Sequence, residues 1–225
     1  MQIDYLKDGC ICEENKAEVD STEMTEFINA FLSVESIYFS AIREISNRIE
    51  ILIDELKTAK AHNPICNLVM RVKTPKSIAE KLIRKGCDLS IQAAKENIND
   101  IAGVRIICRY IDDIYTISQF LEKWNDIELL NISDYVQNPK PNGYRSLHLD
   151  VAVPVSLPNR IEKITVEIQI RTLAMDYWAS LEHDLAYKLS DQKTDEMAHE
   201  LKDCADVIAQ TDSRMQKLKN IIYKG

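Results

Sequence analysis

The sequence predicts an α+β domain: a mixed sheet of about five strands flanked by helices, with helical extensions at both ends. Three features carry that prediction. Apolar residues from Phe27 to Leu56 recur at three- and four-residue steps, a helical period. Ile164, Val166, Ile168 and Ile170 alternate with Thr165, Glu167, Gln169 and Arg171, the period of a strand with two unlike faces. Further short apolar runs of strand length are interleaved with helical ones, so both kinds of element must share layers around one core. An α/β arrangement fits the same order of elements.

Residues 1–20 are polar and acidic and are expected to form a mobile segment. Residues 21–62 read as an N-terminal helical extension, one long helix or two packed ones, ending before Asn63 and Pro64. The catalytic domain is assigned to residues 63–190. Its first strand is expected over Ile65 to Val72. Thr74 then looks like an N-cap followed by Pro75 at the first helical position, with Gly86 ending the helix after Lys85. Strands follow at Ala102 to Tyr110, Leu129 to Val136, Tyr144 to Val153 and Lys163 to Arg171, with a helix from Asp113 to Trp124. Gln137 to Gly143 is a loop by composition. Thr172 can cap a helix running to about Leu189, and residues 191–225 hold a last helix over Thr194 to Tyr223.

The chain has 225 residues, with 28 basic and 36 acidic side chains and a net charge of −8. That balance argues against a protein built chiefly to coat nucleic acid. The charge is segregated, however. Between Arg71 and Lys85, six cations (Arg71, Lys73, Lys76, Lys81, Arg84, Lys85) face one acid, Glu80. The beginning of the chain shows no basic and apolar leader pattern, and no apolar run approaches the roughly 20 residues of a membrane span. The six cysteines lack paired metal-ligand spacing, so reduced thiols and a cytoplasmic location without membrane partners are expected.

Four groups of residues could do chemistry. Ser77, Lys81 and Arg84 share one face of a helix whose N-terminus, near Lys73 and Lys76, attracts phosphate. A merely solvated basic face is the plainer alternative. Asp100, just before a strand, and Glu167, on the polar face of another, could share Mg²⁺, or be ordinary surface acids. In the Asn142–His148 segment, Gly143 permits close backbone approach and Tyr144 offers a ring for base stacking, with Tyr144, Ser146 and His148 alternating onto one face. A hairpin turn with a surface tyrosine explains the same residues. Lys140 and Asn142 add a charge and an amide for a nucleotide. In the helix after Thr172, Met175, Trp178, Leu181 and Leu185 read as core, with Glu182 and His183 beside that stripe.

Together these segments resemble the RelA/SpoT-type alarmone synthetases. The resemblance runs through Arg71–Lys81, Asp100–Ile106, Asn142–His148, Glu167–Thr172 and Trp178–His183, and covers about residues 65–190. It implies a nucleotidyltransferase-like fold of the small, single-domain type. It also implies transfer of the β,γ-pyrophosphoryl group of ATP to the 3′-OH of GDP or GTP. By motif, Arg71 and Arg105 would sandwich adenine, and Lys73, Ser77, Lys81 and Arg84 would hold the ATP phosphates. Asp100 and Glu167 would bind Mg²⁺, with Glu167 placed to activate the 3′-OH. Tyr144 would stack on guanine, with Asn142, Gln169 and Glu182 near the acceptor and Lys140 and His148 facing its phosphates. Ser133 stands where the family often has arginine, which bears on the choice between GDP and GTP. Small members are commonly homotetramers; no motif here speaks to regulation by RNA. Two alternatives are a relative that pyrophosphorylates the tRNA 3′ end and a silent nucleotide- or RNA-binding module. The second would be expected to lose an acid, and both acids are present.

Overall fold

The computed structural model describes residues 21–59, 63–188 and 194–223. The expected mobile segment over residues 1–20 lies outside the described residues. The order of elements is α1 (Ser21–Ala59), β1 (Ile65–Val72), α2 (Pro75–Arg84), α3 (Ile91–Asn97), β2 (Ala102–Cys108), α4 (Ile111–Leu121), β3 (Glu128–Asp134), β4 (Leu147–Leu157), β5 (Arg160–Thr172), α5 (Leu173–Lys188) and α6 (Asp195–Tyr223).

The strands form one mixed sheet in the order β1-β2-β5-β4-β3. Only β2 and β5 run parallel; every other neighbouring pair is antiparallel. The alternation in β5 drives this arrangement. Ile164, Val166, Ile168 and Ile170 are buried, joined by Val104 and Ile106 of β2 and Leu149, Val151 and Val153 of β4. That apolar set packs in one cluster with Phe31, Ile42, Ile45 and Ile49 of α1, Ile78 and Leu82 of α2, and Ile114 and Ile117 of α4. The N-terminal helix is a single element, and it shares its core with the sheet. Removing these side chains from water at about 25 cal/mol per Å² is the main favourable term of the fold.

The sheet register sets up the other face. Glu167 pairs with Gly103 on one side and Asp150 on the other. Gln169 pairs with Arg105 and His148. Polar side chains from β2, β4 and β5 therefore converge over the middle of the sheet.

Several boundaries differ from the sequence expectation for local reasons. Helix α3 was not expected. It has seven residues, too few to show a period, and is marked only by Ser90, whose Oγ accepts from the Ala93 N–H at 3.0 Å. Helix α4 starts at Ile111 because Asp113 turns back to accept the Tyr110 N–H at 3.2 Å. Strand β4 begins at Leu147, since residues 144–146 leave the strand path. There Lys140 donates its N–H to the Tyr144 carbonyl at 3.1 Å, and Gly143 donates to the Lys140 carbonyl at 2.8 Å. The expected alternation of Tyr144, Ser146 and His148 onto one face therefore fails. Ser146 is fully buried instead, and its Oγ accepts from Arg171 Nε at 3.4 Å. Thr172 caps α5 as expected, with its Oγ1 accepting from the Met175 N–H at 3.2 Å. No helix among the described residues is long and apolar enough to cross a membrane.

Candidate active site

The cleft lies over the polar face of the sheet. It has a volume of about 520 Å³, and its lining includes Lys81, Asp100, Tyr144, His148, Glu167 and Gln169. One cluster in it is built on Asp100, at the entry to β2. Lys73, just after β1, donates to Oδ2 at 2.8 Å, and Lys81 of α2 donates to Oδ1 at 2.7 Å. Burial would raise the Asp100 pKa, but the two ammonium groups outweigh it and bring the carboxyl down to about 2. Helix α2 aims Lys81 because Thr74 caps it, accepting the Ser77 N–H at 3.2 Å. Ser77 Oγ meanwhile accepts from Thr74 Oγ1 at 2.9 Å.

Glu167 is the second acid. Gln169 Nε2 donates to Oε2 at 2.6 Å, and His148 Nδ1 lies 3.0 Å from Oε1. Burial raises its pKa and the neighbouring Asp100 charge adds a little to that, but the hydrogen bond and charge of His148, with the Gln169 hydrogen bond, prevail and lower it below the ordinary value. Both acids are therefore ionised at neutral pH. Both line the same cleft, and the Asp100 charge is felt at Glu167. Mg²⁺ takes oxygen ligands and binds through one or two carboxylates plus substrate phosphates, so this donor set fits it.

Tyr144 borders the same cleft. Its hydroxyl lies 2.9 Å from His148 Nε2. Lys140 Nζ sits 5.0 Å from the Tyr144 ring centroid and 4.6 Å from that of Tyr135. Ser133 and Asn131 of β3 line the far side of the cleft, where both offer neutral donors.

The remaining expected residues fall elsewhere. Arg105 of β2 donates to Asp176 of α5 at 3.4 Å, and burial together with the charges of Arg171 and Arg71 lowers its pKa. Arg84 is exposed at the end of α2. Asn142 and Glu182 do not line the cleft. They border a separate cavity of about 490 Å³ between α5, α6 and the loop, alongside Leu185, Met197 and Leu201. Nor does Gly143 make room for a ligand. Its φ is +92°, and a Cβ there would lie 2.5 Å from the Ala205 Cβ, so it admits α6.

The structure adds residues that sequence reasoning missed. Arg171 is 4% exposed and bonds Tyr144, Gln169, Ser146 and Asp176. Asp150 shares a rung with Glu167, and Asn99 donates to it at 3.0 Å. Lys85 lines the cleft and donates to the Asn97 carbonyl at 2.7 Å. The alternation of β5 put Arg171 on the polar face; nothing local marked its partners.

The sheet and cleft define a class of protein, one that sets two ionised carboxylates among cations over a mixed sheet. Residues 70–192 match the family described as the region found in RelA/SpoT proteins, and the chain belongs to that family. It is 43% identical over 198 residues to GTP pyrophosphokinase YwaC of Bacillus subtilis, covering 88% of this chain and 92% of that one. Among solved structures, small alarmone synthetase 2 from Bacillus subtilis matches with a TM-score of 0.77 and 43% identity, over 84% of this chain and 98% of that one. Small alarmone synthetase 1 from the same species, bound to its product pppGpp, matches with a TM-score of 0.81 and 30% identity, over 87% and 99%. The fold expected from the sequence, a mixed five-stranded sheet flanked by helices, agrees with these structures.

Proposed function

We propose that this chain is a (p)ppGpp synthetase, a GTP pyrophosphokinase that transfers the β,γ-pyrophosphoryl group of ATP to the 3′-OH of GDP or GTP. The observation that carries the reading is the placement of Asp100 and Glu167 in one cleft with Lys81, Lys140 and Tyr144. Relatives named for guanosine nucleotide chemistry cover most of the chain, and the tRNA acceptor finds no support in them.

In this reading the acceptor 3′-oxygen forms a bond to the β-phosphorus of ATP. The bond from that phosphorus to the α,β-bridging oxygen breaks, and AMP leaves. Glu167, held ionised, takes the hydroxyl proton. Lys73, Lys81 and Arg84 offset phosphate charge, with Ser77 in the first turn of α2. Arg71 and Arg105 hold adenine, and Tyr144 stacks on guanine beside Lys140. Asp100 and Glu167 are the residues that would hold Mg²⁺, which when bound draws charge from the phosphates. Most of the work is positioning and charge neutralisation, as in phosphoryl transfer generally. We place the enzyme in the cytoplasm as a homo-oligomer, a tetramer by family resemblance. Val207, Leu218, Ile221 and Ile222, exposed on α6, suit burial against another copy.

The test is transfer of label from γ-labelled ATP with Mg²⁺ and either GDP or GTP. Labelled guanosine product is expected with release of AMP. Glu167→Gln should cut the rate by roughly 10³-fold in a folded protein. Full activity in that variant would remove Glu167 from the reaction.

A further inference from the structure

The two hydrogen bonds received by Glu167 have a common origin. Along one arm, Gln169 Nε2 donates to Glu167 Oε2 at 2.6 Å, and Gln169 Oε1 accepts from Arg171 Nη2 at 2.8 Å. Along the other, His148 Nδ1 lies 3.0 Å from Glu167 Oε1, His148 Nε2 lies 2.9 Å from the Tyr144 hydroxyl, and that oxygen accepts from Arg171 Nη2 at 2.5 Å. The two arms close a ring that begins at one guanidinium nitrogen and ends at one carboxylate.

A guanidinium has donors only, and an ionised carboxylate has acceptors only. The direction of the bonds at both ends of the ring follows. Gln169 must turn its oxygen to Arg171 and its amide nitrogen to Glu167. The Tyr144 oxygen accepts an N–H from Arg171 and lies against His148 Nε2. An ionised Glu167 can only accept, so the His148 nitrogen that faces it, Nδ1, carries a proton. In free histidine the proton prefers Nε2; which nitrogen carries it in a protein is set by the partner of the other.

We propose that Arg171 is a positioning residue: it holds both arms so that Glu167 receives one N–H on each oxygen, from Gln169 Nε2 and from His148 Nδ1. What Glu167 then does to a 3′-OH rests on the proposed function; the polarity of the ring does not. His148 accordingly serves the carboxylate, with both ring nitrogens engaged inside the protein. Neither nitrogen is left over for a phosphate. The guanine platform Tyr144 and the base Glu167 become parts of one hydrogen-bonded unit. Asp176 anchors that unit from α5, accepting from Arg171 Nη1 at 3.3 Å and from Arg105 Nη1 at 3.4 Å.

The test has two readouts. In the full-length, metal-free, ¹⁵N-labelled protein, the His148 ring signals, assigned by their loss in His148→Asn, should show a proton on Nδ1, the nitrogen that faces Glu167. A ring whose Nδ1 carries no proton would overturn the proposal. The second readout is the split between kcat and KM. Arg171→Met should lower kcat roughly 10- to 100-fold with KM for ATP within about twofold, as for other residues that orient a reactive group from behind, and Arg171→Lys should recover part of the loss. An unchanged kcat in Arg171→Met would overturn it. Because Arg171 is buried, Tyr144→Phe makes the same cut at the cleft surface: the ring stays and the hydroxyl goes. It should lower kcat by roughly tenfold with KM for GDP within about twofold. A raised KM with unchanged kcat would reduce Tyr144 to a platform and sink the link. If the wild-type protein transfers no pyrophosphate at all, the proposed function fails, and the nitrogen signals still decide the ring.

Discussion

Gly143 stands against Ala205: a Cβ added to the glycine would meet the Ala205 Cβ at 2.5 Å. The contact ties the loop before Tyr144 to a helix some sixty positions further along the chain. With φ at +92°, the site also penalises any L side chain. Gly143→Ala should therefore destabilise the protein by about 3 kcal/mol, read as a lowered urea midpoint. Adding Ala205→Gly should relieve the steric part and leave about 1 kcal/mol of backbone strain. If Gly143→Ala matched wild type in stability, the contact would not exist in solution.

That contact also shows where sequence reading ends. The period of β5 was legible, so the buried face and the polar position of Glu167 followed from it. Asp100, Lys73 and Lys81 were each identifiable, and α2 brings them together because its cap and proline are local signals. In the sequence Arg171 is one more polar residue of the β5 alternation. Its importance comes from the β4–β5 register and from the loop that carries Tyr144, both tertiary facts. Asn142 and Glu182 went to another cavity for a similar reason, since the position of α6 decides what that part of the loop faces.

Asp100 gives a pH prediction. Its folded-state pKa is depressed from 3.8 to about 2 by Lys73 and Lys81, against the effect of burial. A depressed carboxylate contributes stability that is present above the unfolded pKa and lost as pH falls through the folded one. The window therefore runs from about pH 4 down to about pH 2, and the contribution is about 2 kcal/mol. Asp100→Asn should lose that stability at neutral pH and show a flatter decline through the acid window. Urea midpoints measured stepwise through the window check it; parallel curves for the two proteins would contradict the ion-pair account.

Lys219 and Asp113 form a buried pair between α6 and α4, with Nζ to Oδ1 at 3.1 Å and side chains 11% and 3% exposed. Removing one partner of such a pair leaves a desolvated charge. Lys219→Met should cost about 3 kcal/mol. Asp113 keeps the Tyr110 N–H in the variant, which limits the loss. Combining Lys219→Met with Asp113→Asn should cost less than the sum of the single changes, with a coupling of about 1 to 2 kcal/mol. Since α6 also holds Gly143, hydrogen exchange should rise in α6 and in the 140–146 loop together. Faster exchange in α6 alone would show that the loop stands without it.

Tyr144 separates binding from positioning. Base stacking on an aromatic ring is worth about 1 to 3 kcal/mol by alanine substitution, or roughly 5- to 150-fold in affinity. Tyr144→Ala removes both the ring and the hydroxyl, so KM for GDP should rise within that range and kcat should fall as well. The phenylalanine variant keeps the ring, so its KM should stay near wild type while kcat falls. Binding of an ATP analogue, measured without acceptor, should be nearly unchanged in both variants, because Lys73 and Lys81 are held by Asp100. A large loss of ATP-analogue affinity in the alanine variant would mean that Tyr144 belongs to the donor side of the cleft. The roles of the two halves would then have to be exchanged.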